Sequence, residues 1–193
     1  MKSHCPTRMP PAPGTRIVVS GTTGSGKTTM ARQLACQLSL RHVELDALHW
    51  EPDWREAPLD VFRQRVDAAT SGDGWVLDGN YSRVRDIYWP RSDTIVWLDY
   101  PLRVVLWRLW WRTLRRVTTR EELWNGNRED LRTALLSRDS ILLWAVQTYE
   151  RRRRQYTELL AAPESRHLTA IHLTSPRAAR AWLASLGAGS RGA

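Results

Sequence analysis

The chain has 193 residues, with 29 Lys and Arg against 20 Asp and Glu, a formal net charge of +9, and 42% hydrophobic residues. That length suits one domain with a full core. No apolar run approaches the ~20 residues of a membrane span, and the only cysteines, Cys5 and Cys36, make neither a disulfide framework nor a metal-ligand set. The positive balance calls for an anionic partner, a nucleotide or a nucleic acid.

The start is polar and proline-rich (Pro6, Pro10, Pro11, Pro13) and unlike a secretory signal. It reads as a loose tail over residues 1–14, ahead of a domain over 15–187 and a short tail over 188–193, and the expected compartment is the cytoplasm. Arg16–Ser20 then reads as a buried strand. It runs into Gly21-Thr22-Thr23-Gly24-Ser25-Gly26-Lys27-Thr28, a glycine, four free positions and Gly-Lys-Thr, the pattern of a phosphate-binding loop. Met30, Leu34 and Leu38 recur beyond it at helical spacing, so Thr28 and Thr29 should open a helix. Glycines let amide N–H groups point inward onto phosphate oxygens. Lys27 would reach the β- and γ-phosphates and the Thr28 hydroxyl would ligate Mg²⁺. Lysine is otherwise confined to Lys2, which singles Lys27 out. The chain is expected to bind a nucleoside triphosphate.

A second strand, His42–Leu45, leads into Asp46-Ala47-Leu48-His49-Trp50, then Glu51-Pro52-Asp53-Trp54, a segment without amphipathic period. It offers two indole walls, an imidazole and carboxylates, and is read as an acceptor pocket spanning about 46–70. Core packing of Trp50 and Trp54 is the competing interpretation. A helix over Leu59–Ala69 and a turn at Ser71–Gly74 precede a third strand, Trp75–Leu77. Asp78-Gly79-Asn80-Tyr81, with Arg83 and Arg85 beyond, should face the pocket across the crevice. A fourth strand, Thr94–Leu98, also ends in an aspartate, Asp99. In a parallel sheet the strand carboxyl ends face the ligand crevice, so either Asp78 or Asp99 could hold Mg²⁺. Neither is followed by a glutamate that would activate water, which favours transfer to a bound acceptor over hydrolysis.

A helix beginning at Pro101 places Arg108, Arg112 and Arg116 on one stripe, where guanidinium forks suit a migrating phosphoryl group. A lid is expected over about 112–132, centred on Asn125-Gly126-Asn127. A long helical region from about Glu129 to Leu160 carries Arg151-Arg152-Arg153-Arg154. Leu168–Leu173 reads as a fifth strand and Pro176–Leu186 as a last helix. The alternation predicts an α/β fold with a mainly parallel sheet.

With these elements placed, the chain resembles the adenylate kinase-like branch of P-loop kinases over roughly Arg16 to Leu186. Leu77-Asp78-Gly79 is similar to the strand end at which those enzymes arrange Mg²⁺ and its waters. Leu98-Asp99-Tyr100-Pro101 with Arg108 and Arg112 is similar to their fourth strand and next helix, where the arginines contact the adenine and phosphates of the donor. His49-Trp50, Asp78-Gly79-Asn80-Tyr81 and Asn125-Gly126-Asn127 together resemble a narrower group described as adenylate kinase-related or "DNA topology modulation" proteins. The resemblance implies a three-layer P-loop NTPase sandwich with a five-stranded parallel sheet and a short helical lid, using ATP and Mg²⁺.

Adenylate kinases follow Asp-Gly with Phe-Pro-Arg. Here Asn80-Tyr81-Ser82-Arg83 is one residue longer, which leaves Arg83 or Arg85 for the acceptor phosphate. Asp46-Ala47-Leu48-His49 resembles instead the Asp-x-Leu-His of gluconate kinases, whose acceptor is a hydroxyl. The preferred expectation is γ-phosphoryl transfer from ATP to a nucleoside monophosphate. Lys27, Arg112 and Arg116 would serve the transfer, and Asp46, His49, Trp50, Asn80, Tyr81 and Arg83 would bind the acceptor. A kinase of a hydroxylated metabolite, with Asp46 as base, is the first alternative. A nucleotide-gated nucleic-acid-binding regulator using the Arg151–Arg154 run is the second.

Overall fold

The computed structural model describes residues 10–119, 125 and 141–189, with the side chains of 116, 117, 141–144, 188 and 189 excepted. Five strands form one sheet in the order β2-β3-β1-β4-β5, every pair parallel. They are β1 (Arg16–Gly21), β2 (Arg41–Glu44), β3 (Trp75–Asp78), β4 (Thr94–Leu98) and β5 (Thr169–Leu173). The inner strands β1, β3 and β4 read as near-continuous apolar runs because both faces are covered, whereas the edge strands bury only Val43 in β2 and Ile171 and Leu173 in β5. Ile17 and Val19 point into one core with Val76, Val96, Leu98, Ile171 and Leu173. Val18, one pleat away, points into the other with Trp75, Leu77, Ile95 and Trp97.

Helices α1 (Lys27–Leu38) and α7 (Pro176–Gly189) fill the first core, with Met30, Leu34, Ala179 and Trp182 buried there. The second is closed by α3 (Leu59–Thr70) and α4 (Arg85–Tyr88), through Phe62, Val66 and Tyr88, and by Tyr156 from α6 (Ile141–Ala161). The α5 helix (Leu102–Thr119) follows β4 and buries Val105 and Leu109 completely.

Two expectations move. The second strand was expected to include Leu45, but it stops at Glu44 and Leu45 opens a five-residue helix, α2 (Leu45–His49). Leu45 is fully buried, so its apolarity marks a core position and not strand continuation. Within the expected N-terminal tail, Gly14 N donates to Thr94 Oγ1 at 2.9 Å and Trp182 Nε1 donates to the Pro11 carbonyl at 3.2 Å. Residues 10–14 therefore lie along the domain, and 1–9 fall outside the described residues. So does most of the expected lid beyond Thr119. Among the described residues, no helix is long and apolar enough to cross a membrane.

Candidate active site

Strand order dictates where the chemistry gathers. With β1 central between β3 and β4, the loop leaving β1 is flanked by the carboxyl ends of both neighbours. Val19 is in register with Asp78 and Gly21 with Leu98. Asp78 and Asp99 therefore stand on opposite sides of the loop, as ligand crevices of parallel sheets require.

The loop itself is built to receive an anion. Gly26 caps α1 in the left-handed region, at φ 93°, with no side-chain cap and no acidic residue in the first turn. The first amide donors and the positive end of the helix are thus left for a ligand. A Cβ at Gly26 would come within 3.0 Å of Arg108 Nη1, so α5 brings a guanidinium close against the loop there. Arg108 Nη1 donates to the Ser25 carbonyl at 2.7 Å and its guanidinium lies 5.4 Å from the centroid of the Tyr100 ring. A cavity of about 790 Å³ opens over Gly24–Thr29. Arg108, Arg112 and Arg115 of α5 and Arg180 of α7 line it, beside Trp111. Arg115 and Arg180 were not anticipated. Arg180 belongs to the last helix, far away in sequence, and no local pattern marks it. The Arg116 side chain lies outside the described residues.

The two strand-end aspartates are distinguished by their partners. Asp78 is buried and its Oδ2 accepts from Thr28 Oγ1 at 2.5 Å, while Oδ1 meets His42 Nε2 at 3.0 Å. Asp99 is buried against Arg153 Nε, at 3.0 Å, and His172 Nε2, also at 3.0 Å. The His172 ring in turn stacks on Trp97 at 4.3 Å. Asp99 is thus a structural anchor. The Thr28 hydroxyl and the Asp78 carboxylate form the oxygen pair that a Mg²⁺ site calls for, and these residues fit the ion. His42, which orients Asp78, stands at the second position of β2 and carries no sequence signal for that role.

Lys27 Nζ donates to the Thr22 carbonyl at 3.3 Å. Burial pulls its pKa down from 10.5 to about 8, opposed by Asp46 and then Asp78, while Arg152 and Arg112 add to the fall. Those four residues are therefore the charges felt at the lysine. Asp46 stands on α2, and its Oδ1 accepts from Tyr81 OH at 2.5 Å. Burial first, then the Asp46 charge, pushes the Tyr81 phenol well up, so it remains a donor. Gly79, at φ 139°, brings the loop after β3 onto α2. A Cβ there would lie 2.7 Å from Leu45 Cβ.

The other acceptor residues divide. His49 is buried among Trp50, Phe62 and Tyr81, with ring centroids 4.9, 4.9 and 4.6 Å away. Burial lowers its pKa against the pull of Glu56 and Asp46, so it is a neutral ring in an aromatic cage. Trp50 packs edge-on against Trp54 at 5.5 Å, and its carbonyl accepts from Asn125 Nδ2. Asn80 bridges the Gly21 carbonyl, at 2.6 Å, and Tyr156 OH, at 2.9 Å. Arg83 is exposed and pairs with Glu56 at 3.5 Å. Tyr149, the other aromatic beside the arginine run, is buried with its hydroxyl on the Tyr100 carbonyl at 2.9 Å. Neither tyrosine presents a face on which a nucleic-acid base could stack.

No family model and no curated protein matches the chain. Among solved structures, a shikimate kinase from Bacteroides thetaiotaomicron superposes with a TM-score of 0.54 at 15% identity, covering 92% of this chain and 98% of that one. A shikimate kinase from Acinetobacter baumannii in complex with shikimate gives 0.53 at 18% identity, over 92% and 93%. A gluconokinase from Sinorhizobium meliloti 1021 gives 0.48 at 20% identity, over 93% and 96%. With its five-stranded, all-parallel α/β sandwich, the chain has the fold of the two shikimate kinases.

Proposed function

We propose that the protein is an ATP-dependent kinase of a small hydroxylated metabolite. One observation carries the reading: Asp46 and Asp78 converge electrostatically on Lys27 from two different strand ends. Asp78, bonded to Thr28, belongs to the donor side, where the pair would hold Mg²⁺; the ion would neutralise charge on the transferred phosphoryl group. Asp46 has no such partner in the donor cavity. It lies beyond Lys27, held by a phenol that orients it and leaves its second oxygen for a substrate.

In this arrangement the loop amides and Lys27 hold the triphosphate, and Arg108, Arg112 and Arg115 cover its oxygens. An acceptor hydroxyl hydrogen-bonded to Asp46 would face the γ-phosphorus. A bond forms between that oxygen and phosphorus as the bond to the bridging β–γ oxygen breaks. ADP leaves, and the hydroxyl proton passes to Asp46. Little covalent chemistry is asked of the protein beyond placement and charge.

A nucleoside monophosphate acceptor is a second reading, favoured by the proximity of Arg112 and Arg152 to Lys27, since a phosphate acceptor needs cations and no base. Against it, Arg83, one of the two arginines expected for that phosphate, is turned to Glu56. Asp46→Asn decides between them, in a coupled ADP-release assay over sugar acids, polyols, nucleosides and nucleoside monophosphates. For a hydroxyl acceptor the loss of the base should lower kcat by roughly 10²–10⁴-fold. An unchanged kcat with a raised KM would assign Asp46 to binding alone and the acceptor to the phosphate class. Absence of acceptor-dependent ADP release across the panel would remove the kinase reading.

A further inference from the structure

A surface helix ordinarily buries its apolar stripe and turns polar residues to solvent. The α5 helix departs from that order. Val105, Leu109 and Thr113 point inward and are buried, while Arg108 and Arg112 line the cavity over the phosphate-binding loop. On the remaining side stand Arg103, Trp107, Trp110, Trp111 and Arg115, all exposed, and at about 100° per residue they share one face. The three indoles are 63, 45 and 50% exposed. Trp107 and Trp111 meet edge to face, with centroids 5.5 Å apart and planes at 73°, so the side chains form a ridge. One exposed apolar side chain needs no explanation, but adjoining indoles on one helix face mark a contact surface.

Charge narrows what that surface meets. Over Leu102–Thr119 the sequence has five arginines and no carboxylate. Helices α1 and α7, packed on the same core as Val105, have no carboxylate either, and they expose Arg32, Arg177 and Arg180. On α6, which packs beside α5, Glu150 acts on Arg153 and lines a cavity with Arg151, Arg152 and Arg154, so the arginine run of its own helix answers it. A second copy would set the ridge against itself and juxtapose like charges. Stacked bases need parallel ring faces, which the crossed Trp107 and Trp111 do not give. Tryptophan and arginine together suit the headgroup layer of an anionic bilayer, where the indole body is buried, its N–H stays wet and the guanidinium reaches phosphate. We propose that the outward face of α5 docks the protein on an anionic phospholipid surface, with Trp107 and Trp110 in the headgroup layer and Arg103 beside lipid phosphates. The contact is peripheral, since no described helix is long and apolar enough to span a membrane. Trp111 and Arg115 also border the donor cavity, so docking would hold that cavity next to the lipid. None of this rests on the kinase reading.

The test is co-sedimentation of the full chain with vesicles of equal parts phosphatidylcholine and phosphatidylglycerol, compared with phosphatidylcholine alone. Saturable binding to the anionic vesicles is expected, tighter by about tenfold or more than to the neutral ones. The double change Trp107→Ser and Trp110→Ser keeps every charge and removes only exposed side chains. It should weaken binding about tenfold or more. Arg103→Gln should weaken it about fivefold. Arg41→Gln, an equal loss of charge at an exposed site on the far edge strand β2, should change it by less than about twofold. A Tm within about 2 °C of wild type establishes that each variant folds. Equal binding by wild type and the double tryptophan variant, equal losses for Arg103→Gln and Arg41→Gln, or no binding to anionic vesicles would overturn the proposal. So would a wild-type dimer in sedimentation equilibrium, or a complex with a single-stranded oligonucleotide, that the tryptophan changes abolish. The ridge would then belong to a second copy or to nucleic acid.

Discussion

Replacing Lys27 by Met should make the ligand-free protein more stable while abolishing its response to nucleotide. The lysine ammonium sits where burial outweighs Asp46 and Asp78, and its pKa falls from 10.5 to about 8. A fall of that size means that folding works against the charged form by roughly 3 kcal/mol. Methionine keeps much of the stem and removes the charge, at the loss of one bond to the Thr22 carbonyl. For a chain of this length each kcal/mol moves Tm by about 2–4 °C, so a gain of about 5–10 °C at pH 7 is expected by scanning calorimetry. The sign with pH follows from a base whose folded pKa is depressed. Between about 8 and 10.5 the unfolded lysine binds more protons than the folded one, so wild-type stability rises relative to the variant. The Tm gap should be full below pH 8 and close as pH approaches 10.5. Saturating Mg²⁺-nucleotide at about 100 times Kd should raise wild-type stability by ~2.7 kcal/mol and leave the variant unmoved. A variant that melts at or below wild type at pH 7, or a gap indifferent to pH, would refute the reasoning.

Asp78→Asn should abolish the Mg²⁺-dependent part of nucleotide binding measured by calorimetry. Asp99→Asn should spare it and instead lower stability by about 1–3 kcal/mol, as the Arg153 and His172 contacts are lost. Arg112→Lys should cut kcat about tenfold or more although charge is kept, because an ammonium cannot reproduce a planar two-pronged clamp; steady-state kinetics at saturating ATP read this directly. Gly79→Ala forces a Cβ toward Leu45 at an unfavourable φ and should cost roughly 1–3 kcal/mol in chemical denaturation.

The central loop was legible because its chemistry is local: glycines, a lysine and a threonine at fixed offsets, between a strand and a helix whose periods switch. The strands were legible because two covered faces write continuous apolar runs. What could not be read depends on neighbours distant in sequence. Asp78 and Asp99 end strands of the same pattern, and the difference between them is made by His42, Arg153 and His172, which are 36, 54 and 73 residues from the aspartates they touch. The Arg151–Arg154 run read as a single charged patch, but a helix turns about 100° per residue and divides it. Arg153 anchors Asp99, Arg152 is half-buried and felt at Lys27, and Arg151 and Arg154 are exposed. Tyr149 and Tyr156, seven apart, share a buried face for the same reason. The rings around His49 include Phe62 and Tyr81 as well as Trp50, and the first two are not its neighbours in sequence.

The positive charge acquires a location from these assignments. The cavity over the phosphate-binding loop is lined by Lys27, Arg32, Arg108, Arg112, Arg115 and Arg180 against Glu44, within a chain of net charge +9. Cations held in concave, partly buried walls act on small anions that can enter, where low-dielectric surroundings focus the field. A nucleic-acid duplex is met by an outward stripe tracking its phosphates, whereas here Arg16, Arg63, Arg65, Arg83, Arg91 and Arg153 each pair with a carboxylate. In the proposed kinase reading, the arginines that matter for function are those lining the cavity over the phosphate-binding loop. The Asp78-Gly79-Asn80 loop that borders this site is held by Leu45 against Gly79 and by Asn80 on the Gly21 carbonyl.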